Sequence, residues 1–249
     1  MKTILIVGAT SSIAQACVRK WCKMENELEF IFIARDEARI KKISHDLMIK
    51  YPKIKIRCIV FSVTHFEKIK NIIDNEFAKG RIDIALIAQG LMYEDETNID
   101  YSKIINILNL NCVSVAICVD NIYKNMLIQN SGKIGVFSSV AADRGRKNNY
   151  LYGASKAFVS TYVEGLQHKI NLLNQKVNIC LIKPGPTSSN MTRHLVEKGK
   201  KLANIDKVAT VIVDGIEENK LVVYSPKIWS VIMCFIRRIP FFIFRKLDI

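Results

Sequence analysis

Short apolar runs alternate along the chain with longer stretches in which apolar and charged residues recur at helical spacing. The apolar runs span five to seven residues and are rich in Ile, Val and Phe, as in strands buried on both faces. They predict strands at Thr3–Val7, Glu29–Ala34, Lys55–Phe61, Asp83–Ala88, Lys133–Phe137 and Lys176–Ile182. The intervening stretches predict helices that end near Lys23 and that span Asp36–Lys50, His65–Lys79, Tyr101–Asn125 and Tyr152–Asn174. This alternation predicts an α/β fold with a doubly wound parallel sheet and right-handed crossovers.

The chain is predicted to form a single domain followed by a C-terminal tail. Its 249 residues fit one large α/β domain, and no linker, repeat or low-complexity tract divides them. We therefore assign residues 1–226 to the domain and 227–249 to a C-terminal tail rich in aromatic and basic residues. The first apolar run turns into glycine too soon for a signal peptide, so a cytoplasmic protein is expected.

The charge, the cysteines and the metal-binding residue types indicate which partners and which compartment to expect. The 37 basic and 23 acidic residues give a net charge of +14, but the basic residues are dispersed and are not interleaved with aromatics. Nucleic acid is therefore not the expected partner. Seven cysteines without a Cys-x-x-Cys pair, most of them among apolar residues, indicate buried thiols in a reducing compartment. No pattern of His, Cys and carboxylates indicates a metal site.

A turn of small residues, Gly8–Ala14, joins the first strand to the first helix. Free amides and the helix dipole at such a turn favour an anion such as a phosphate. Of the three glycines in the usual dinucleotide-binding turn only Gly8 is present, and Ser12 and Ala14 take the other two places. The turn indicates a dinucleotide phosphate site, with a tight structural turn as the alternative.

Other predicted strand ends also carry residues suited to a ligand. Ligands of doubly wound sheets bind at the carboxyl ends of the strands, where Gly8, Arg35, Gly90, Ser139 and Pro184-Gly185 all fall. An arginine after the second strand pairs with the 2′-phosphate of NADPH, whereas an acid there accepts the 2′-hydroxyl of NADH. Arg35 therefore favours NADP(H), with NAD(H) as the second choice; the alternative is that it only caps the strand–helix loop.

A tyrosine and a lysine follow the fifth strand at a spacing that suits acid catalysis. Tyr152 and Lys156 are four residues apart and share one helical face. A free phenol has a pKa of about 10, and a nearby ammonium lowers that pKa by stabilising the phenolate. Ser139 could then hold the carbonyl oxygen that the tyrosine protonates. The alternative is a surface tyrosine packed on a lysine stem.

Together these motifs resemble the short-chain dehydrogenase/reductase family over about residues 1–192. The resemblance rests on the small-residue turn, on Ser139 thirteen residues before Tyr152, on the run Tyr152–Ala157 and on Pro184-Gly185. It implies a Rossmann-type fold and hydride transfer between a nicotinamide and a carbinol carbon. It also implies a homo-oligomer that pairs through the helices Tyr101–Asn125 and Tyr152–Asn174.

The resemblance assigns four catalytic residues. Tyr152 would exchange the proton, Lys156 would lower its pKa and bind the nicotinamide ribose, Ser139 would orient the carbonyl, and Asn111 would hold a water in the proton relay. No role falls to the neighbours Ser138, Tyr150 and Asn109. The predicted cofactor-binding residues are Gly8, Thr10, Ser11, Ser12, Ile13, Arg35, Ser62, Val63, Ala88, Gln89, Gly90, Tyr152, Lys156, Pro184, Gly185 and Ser189.

The chain departs from the family pattern at two strand ends. The usual Asn-Asn-Ala-Gly after the fourth strand is here Ile87-Ala88-Gln89-Gly90, and the usual Asp after the third strand is Ser62. These changes alter contacts on the adenine side of the cofactor and leave the four catalytic positions intact.

A closer resemblance covers the loop before Tyr152, the stretch after Pro184 and the end of the chain. VFSSVAADRGRKNNYLYGASKA, PGPTSSNMTRHL and IRRIPFFIFRKLDI are similar to the decaprenylphosphoryl-2-keto-erythro-pentose reductases. This implies reduction of a polyprenylphosphoryl 2-keto pentose, the second step of a ribose-to-arabinose epimerisation for cell-surface glycans, after a flavin oxidase partner has made the ketone. The alternatives are a reductase of a nucleotide-sugar or acyl ketone, and a non-catalytic cofactor-binding scaffold or redox sensor.

The tail Lys227–Ile249 predicts membrane contact from its own composition. Its apolar runs are shorter than the roughly 20 residues that a bilayer crossing needs, whereas aromatics beside paired arginines suit a membrane interface. One helical face carries Trp229, Ile232, Met233 and Ile236. We therefore expect peripheral contact with the inner face of the cytoplasmic membrane; the alternative is a segment packed over the substrate mouth or in a dimer contact.

Two further segments are expected near the substrate. Arg144, Arg146 and Lys147 lie between Ser139 and Tyr152, where cations would suit a substrate phosphate, with a solvated basic loop as the alternative. Ser188–Lys201 is expected to act as a mobile lid over nicotinamide and substrate.

Overall fold

The computed structural model describes residues 1–94, 96, 99–197, 199 and 201–247. Seven parallel strands form one sheet in the order β3-β2-β1-β4-β5-β6-β7. The strands are β1 Lys2–Val7, β2 Leu28–Ala34, β3 Lys55–Val60, β4 Ile84–Ile87, β5 Gly132–Phe137, β6 Val177–Pro184 and β7 Val222–Ser225. The helices are α1 Ser12–Met24, α2 Glu37–Lys50, α3 Phe66–Lys79, α4 Tyr101–Leu108, α5 Ser114–Ile128, α6 Tyr150–Leu172, α7 Arg193–Glu197, α8 Ile205–Glu217, α9 Ile228–Arg238 and α10 Phe241–Phe244. The predicted α/β class with a doubly wound parallel sheet is confirmed.

The sheet is buried on both faces, as its apolar strands predict. One face packs under α1 and α8 around Trp21 and Phe30, and the other packs under α3, α5 and α6 around Ile31 and Met126. The register pairs Val7 of β1 with both neighbouring strands, so β1, β2 and β4 end at one edge of the sheet. All seven cysteines are free thiols, and the buried ones are Cys17, Cys22, Cys112, Cys118 and Cys180.

The region between residues 202 and 226, to which the sequence analysis assigned no element, contains α8 and β7. β7 spans only four residues and is half exposed, so its apolar pattern is too short to identify a strand. It pairs with β6 from Leu181↔Val222 to Pro184↔Ser225 and thereby extends the sheet beside Pro184-Gly185.

The predicted helix Tyr101–Asn125 is interrupted by a π-helical turn at Asn109–Val113, between α4 and α5. Such turns often occur at functional sites, and this one carries the fully buried Asn111. By length and composition alone the stretch Tyr101–Ile128 could cross a membrane, but Val119 and Met126 of α5 are buried in the protein core.

The predicted lid Ser188–Lys201 contains two short helical elements in its described part. A 3-10 turn spans Asn190–Thr192, and α7 follows it directly. Thr187 pairs with Ala203 just outside the segment, and this pairing holds the two ends of the segment together. Lys198 and Lys200 lie outside the described residues, and motion of the segment stays a prediction.

Candidate active site

The four predicted catalytic residues meet where β4, β5 and α6 converge. Ser139, Tyr152 and Lys156 are each at most 9% exposed, and Asn111 is completely buried. α6 begins at Tyr150, two residues earlier than predicted, so Tyr152 lies in its first turn. These side chains come from separate segments, and tertiary packing brings them together.

Two local features seat Ser139 beside Tyr152. A Cβ on Gly153 would lie 2.9 Å from the carbonyl oxygen of Ala141, so the glycine lets α6 pack directly on the turn Val140–Asp143. Ser139 caps that turn, since its Oγ accepts a hydrogen bond from the Ala141 amide at 3.1 Å. Ser138 has a different environment: its hydroxyl donates to the carbonyl oxygen of Lys156 at 2.9 Å and so braces α6.

Lys156 connects the tyrosine to the ends of two strands. Its ammonium donates to the carbonyl oxygen of Phe137 at 3.1 Å and lies 6.0 Å from the centre of the Tyr152 ring. A Cβ on Gly90 would lie 3.2 Å from the Lys156 Nζ and 3.6 Å from the Asn111 Oδ1. The backbone at the end of β4 therefore closely approaches two of the predicted catalytic side chains.

Burial dominates the acid–base properties of this pair. It raises the pKa of the Tyr152 phenol, and a hydrogen bond with Ser139 opposes that rise. Burial also lowers the pKa of Lys156 to about 8. The sequence analysis considered only the lowering effect of the ammonium on the pKa of the tyrosine, whereas desolvation of the buried phenol is the largest influence in the structure.

Asn111 uses its side chain to hold the segment after β4. Its Oδ1 accepts from the Leu91 amide at 2.7 Å, and its Nδ2 donates to the Leu91 carbonyl at 2.8 Å and to the Ser155 Oγ at 2.9 Å. The residue thus ties that segment to α6. Its role in holding a relay water stays a prediction.

A cavity of about 300 Å³ extends from Gly90 across the ends of β4, β1 and β2. Most of the predicted cofactor residues line it, namely Gly8, Thr10, Ser11, Ser12, Ile13, Arg35, Ser62, Val63, Ala88, Gln89, Gly90 and Ser189. The predicted residues outside this lining are Tyr152, Lys156, Pro184 and Gly185. The lining therefore covers the predicted phosphate and adenosine side and includes Gly90, beside the predicted catalytic residues.

The cavity residues fit a dinucleotide. Gly8 has a φ of +82°, and a Cβ on it would lie 2.5 Å from the Gln89 amide nitrogen, so glycine lets the turn pack directly on the end of β4 in the cavity wall. Ser11 caps α1, whose uncharged first turn directs its amides towards the cavity. The Oε1 of Gln89 is buried in the cavity wall and has no hydrogen-bond partner among the described residues, which leaves an acceptor available to a ligand.

Two arginines lie at the far end of the cavity. Arg35 is the predicted one, and Arg39 from the first turn of α2 is a second that the sequence analysis missed. The Arg39 guanidinium donates to the Thr10 carbonyl at 3.1 Å, which holds it beside the phosphate turn. Its position in the first turn of the helix that follows Arg35 is the signal that could have identified it, because that turn begins at the same strand end.

The basic loop between Ser139 and Tyr152 contacts the end of the chain. The Arg144 guanidinium donates to the carbonyl oxygens of Arg237 at 3.3 Å and Ile239 at 3.0 Å, and it lies 4.4 Å from the centre of the Phe244 ring. Arg146 points at the Met233 sulfur, at 3.4 Å. Lys147 is exposed in the same loop. Substrate contact by these three residues stays a prediction. In the structure the partners of Arg144 are residues of the C-terminal tail.

The tail packs against the site through one face of α9. Met233 is fully buried, and Trp229 lies so close to Gly185 that a Cβ on that glycine would overlap the indole. These belong to the apolar face predicted from the sequence, so that face contacts the domain. A different face remains in solvent, with Ile228, Val231 and Phe235 on α9 and Phe241 and Phe242 on α10 all more than half exposed.

Comparison with known proteins agrees with this geometry. Residues 2–200 match the family model for short chain dehydrogenases. An uncharacterized oxidoreductase of Staphylococcus saprophyticus is 25% identical over 186 residues, 74% of this chain and 77% of that protein. The ketoacyl reductase HetN of Nostoc sp. is 23% identical over 222 residues, 87% of this chain and 75% of that protein.

A solved structure shows the same fold. The short-chain dehydrogenase from Sphingobium yanoikuyae in complex with NADPH superposes with a TM-score of 0.82 at 18% identity, covering 93% of this chain and 92% of that one. The fold likeness agrees with the family match, which spans most of the sequence. This chain belongs to the short-chain dehydrogenase/reductase family of oxidoreductases.

Proposed function

We propose that this protein is an NADPH-dependent ketone reductase and that its substrate is a lipid-linked 2-keto pentose. One observation carries the reductase assignment: the cavity lined by the predicted cofactor residues reaches Gly90, which lies against the Lys156 ammonium that neighbours Tyr152. NADPH, when bound, supplies the hydride for the carbonyl carbon. NADH is the second choice of cofactor, as the sequence analysis expected.

The catalytic side chains suit the direction of reduction. In this proposal the Ser139 hydroxyl donates to the ketone oxygen, and the Tyr152 phenol gives that oxygen a proton. Because burial raises the pKa of Tyr152, the phenol is protonated at neutral pH and available as the acid. Lys156, with a pKa of about 8, is charged at the same pH and stabilises the phenolate as the proton leaves.

The end of the chain supports a substrate with a lipid tail. The exposed aromatics Phe235, Phe241 and Phe242 share their surface with the exposed cations Arg237, Arg238, Arg245 and Lys246. Aromatic rings at the headgroup level and cations on lipid phosphates are the composition of an interfacial anchor. Since α9 and α10 also contact Arg144 and Gly185, an anchored tail would hold the substrate mouth at the membrane surface.

The membrane part of the proposal is tested by co-sedimentation with vesicles. Wild-type protein should pellet with vesicles of phosphatidylglycerol and much less with vesicles of phosphatidylcholine, and a double variant Phe241→Ser/Phe242→Ser should stay in the supernatant. Ile128→Ser, which removes an 87% exposed apolar side chain at the end of α5, is the matched control and should pellet like the wild type. Equal pelleting of all three proteins would contradict membrane contact through this surface.

The substrate class is tested by the length of the lipid. NADPH oxidation should be fast with a polyprenylphosphoryl 2-keto pentose, and the KM should rise when the prenyl chain is truncated or the phosphate is removed. A KM that is unchanged by both truncations would contradict a lipid-linked substrate while leaving the reductase assignment intact. The ketone itself would have to come from oxidation of the matching pentose, the step expected of a flavin oxidase partner.

A second candidate is a reductase of an acyl ketone. It is favoured by the similarity to the ketoacyl reductase HetN, which extends over 87% of this chain. The two candidates share Ser139, Tyr152 and Lys156 and differ in what the substrate mouth accepts. Turnover of a β-ketoacyl thioester without turnover of the lipid-linked pentose would select this alternative.

A further inference from the structure

A buried carboxylate contacts the backbone of the proposed proton donor. Glu96, in the segment between β4 and α4, is only 2% exposed. Its Oε1 accepts from the amide of Tyr152 at 3.0 Å, and its Oε2 accepts from the amide of Leu151 at 2.7 Å. Its own carbonyl oxygen accepts from the Tyr150 hydroxyl at 3.2 Å. One residue therefore binds three consecutive residues at the start of α6.

We propose that Glu96 is a positioning residue, which fixes Tyr152 for proton transfer by capping the start of α6 with its carboxylate. The inference rests on the proposed role of Tyr152 as the proton donor. Glu96 touches neither cavity nor reacting atoms in this arrangement, and it acts through the backbone of the tyrosine.

The physical basis is the unsatisfied start of a helix. The first amides of an α-helix have no carbonyl partner within it, and here Asn149, the residue before α6, makes no side-chain cap bond. The Glu96 carboxylate supplies two acceptor atoms and a negative charge at the positive end of the helix dipole. Because the catalytic tyrosine lies in this first turn, any shift of the helix start moves the phenol relative to Ser139.

The same segment is held at its other end by Asn111, which bonds both backbone groups of Leu91. Asn111 and Glu96 thus tie the segment after Gly90 to the π turn and to the start of α6. The position of Tyr152 therefore depends on this segment, because the carboxylate cap is lost whenever Glu96 moves away from α6.

A charge effect should accompany the positional one. A carboxylate at the start of α6 disfavours the Tyr152 phenolate, so its removal should lower the pKa of that phenol. Among the described residues, the other ionisable groups packed around the start of α6 include Tyr150 and Lys156 on α6 itself, Tyr93 before α4, Cys112 on the π turn, and the buried pair of Asp143 with Lys183. None of these groups changes in a Glu96 variant, so the shift reports Glu96.

The test compares Glu96→Gln, Glu96→Asp and Glu67→Gln. Glu67 is an exposed glutamate in the first turn of α3 and is the matched control. The readout is the Tyr152 pKa by NMR of protein labelled at tyrosine Cζ, with the resonance assigned through Tyr152→Phe. Glu96→Gln should lower the pKa by about 0.5–1 unit, whereas Glu96→Asp, which keeps the charge, and Glu67→Gln should leave it near the wild-type value.

Turnover provides the second readout. With a ketone that the wild type reduces, Glu96→Gln should lower kcat about 10–100-fold, while the KM for NADPH stays within about twofold. A wild-type pKa and kcat in Glu96→Gln would overturn the proposal. If that variant does not fold, amide exchange of the wild type decides: protected Leu151 and Tyr152 amides support the cap, and exchange at the rate of an open loop overturns it.

The outcomes also separate this inference from the proposed function. If Tyr152→Phe retains turnover while Glu96→Gln still shifts the Tyr152 pKa, the proposed function fails and the capping role stands. If Tyr152→Phe abolishes turnover and Glu96→Gln behaves as wild type, the proposed function stands and the capping role fails.

Discussion

The cofactor cavity and the substrate side of the same site are built in different ways. The cavity lies mainly on short turns that directly follow β1, β2, β3 and β4, with a further contribution from the segment at Ser189 after β6. The predicted substrate side joins the loop at Arg144 to the end of the chain at Ile239 and Phe244, about a hundred positions away. The first region therefore depends on local backbone geometry, and the second on contacts between distant segments.

This difference predicts how each region fails. A change at a strand-end turn should damage the cavity through the backbone, whatever the rest of the chain does. A change in a tail contact should release the tail as a local event and leave the sheet and the cavity intact. The following variants test that contrast, beginning with the largest effect.

Lys156 lies where the two regions meet. Lys156→Met should lower the rate of catalysis and yet raise the stability of the fold. Loss of the ammonium should lower kcat about 10²–10⁴-fold. Removing a buried charge should nevertheless raise the free energy of unfolding at pH 7 by about 1–3 kcal/mol. Chemical denaturation across pH measures the second effect.

The sign of the pH dependence follows from the lowered pKa. Between about 8 and 10.5, the folded protein has released the Lys156 proton and the unfolded chain still holds it, so the wild type gains stability as pH rises. The advantage of Lys156→Met should thus be complete below pH 8 and shrink above it. An advantage that does not change with pH would contradict the buried-charge account. Lys207→Met, an exposed position on α8, is the control and should stay within about 0.5 kcal/mol of the wild type.

Gly8→Ala should damage the cavity region. The φ of +82° and the 2.5 Å approach to the Gln89 amide leave no room for a methyl group, so we expect a loss of about 2–4 kcal/mol of stability and weaker NADPH binding. Gly145→Ala, in the substrate loop, is the control, since a Cβ there meets no atom of the described chain within 4 Å. Thermal unfolding and NADPH fluorescence titration measure both. Comparable losses in the two variants would break the contrast between the regions.

Phe244→Ala should release the tail without disturbing the cavity. Phe244 is buried under the Arg144 guanidinium, and its loss should cost about 1–3 kcal/mol of local stability. Limited proteolysis should then cut the tail faster, with NADPH affinity unchanged. Phe242→Ala is the matched control because that ring is 64% exposed. Equal proteolysis of the two variants would show that the tail does not depend on this contact.

Arg35→Ala and Arg39→Ala should give the smallest effect. Each removes one charge-assisted contact to a 2′-phosphate, so the KM for NADPH should rise about 10–100-fold while the KM for NADH stays nearly constant. Steady-state kinetics with both cofactors measures this. Parallel changes for NADPH and NADH would remove the phosphate role from both arginines.

The same contrast explains what could be predicted from the sequence. The strands around Gly8, Arg35 and Gly90 carry apolar runs that end in recognisable turns, so all strands except β7 followed from local pattern. The family resemblance, which rests on short motifs such as the spacing of Ser139, Tyr152 and Lys156, added the catalytic roles and most of the cofactor-binding residues. Those roles stay predictions.

The missed features depend on distant partners. Glu96 lies in an irregular segment, and its contact with Tyr152 spans 56 positions, so nothing near it in the sequence indicates a helix cap. The apolar face of α9 was identified, but whether Trp229 and Met233 meet a membrane or the domain depends on Gly185 and Arg146. Burial, which a sequence pattern does not show, raises the pKa of Tyr152, whereas the sequence analysis considered only the lowering effect of the nearby ammonium.

The most direct test of the account is single-turnover oxidation of NADPH by wild type and Tyr152→Phe with a ketone substrate. The account predicts equal NADPH affinity in both proteins and a hydride-transfer rate that is about 10²–10⁴-fold lower in the variant. An undiminished rate in Tyr152→Phe would contradict the assignment of this phenol as the proton donor and with it the proposed active site.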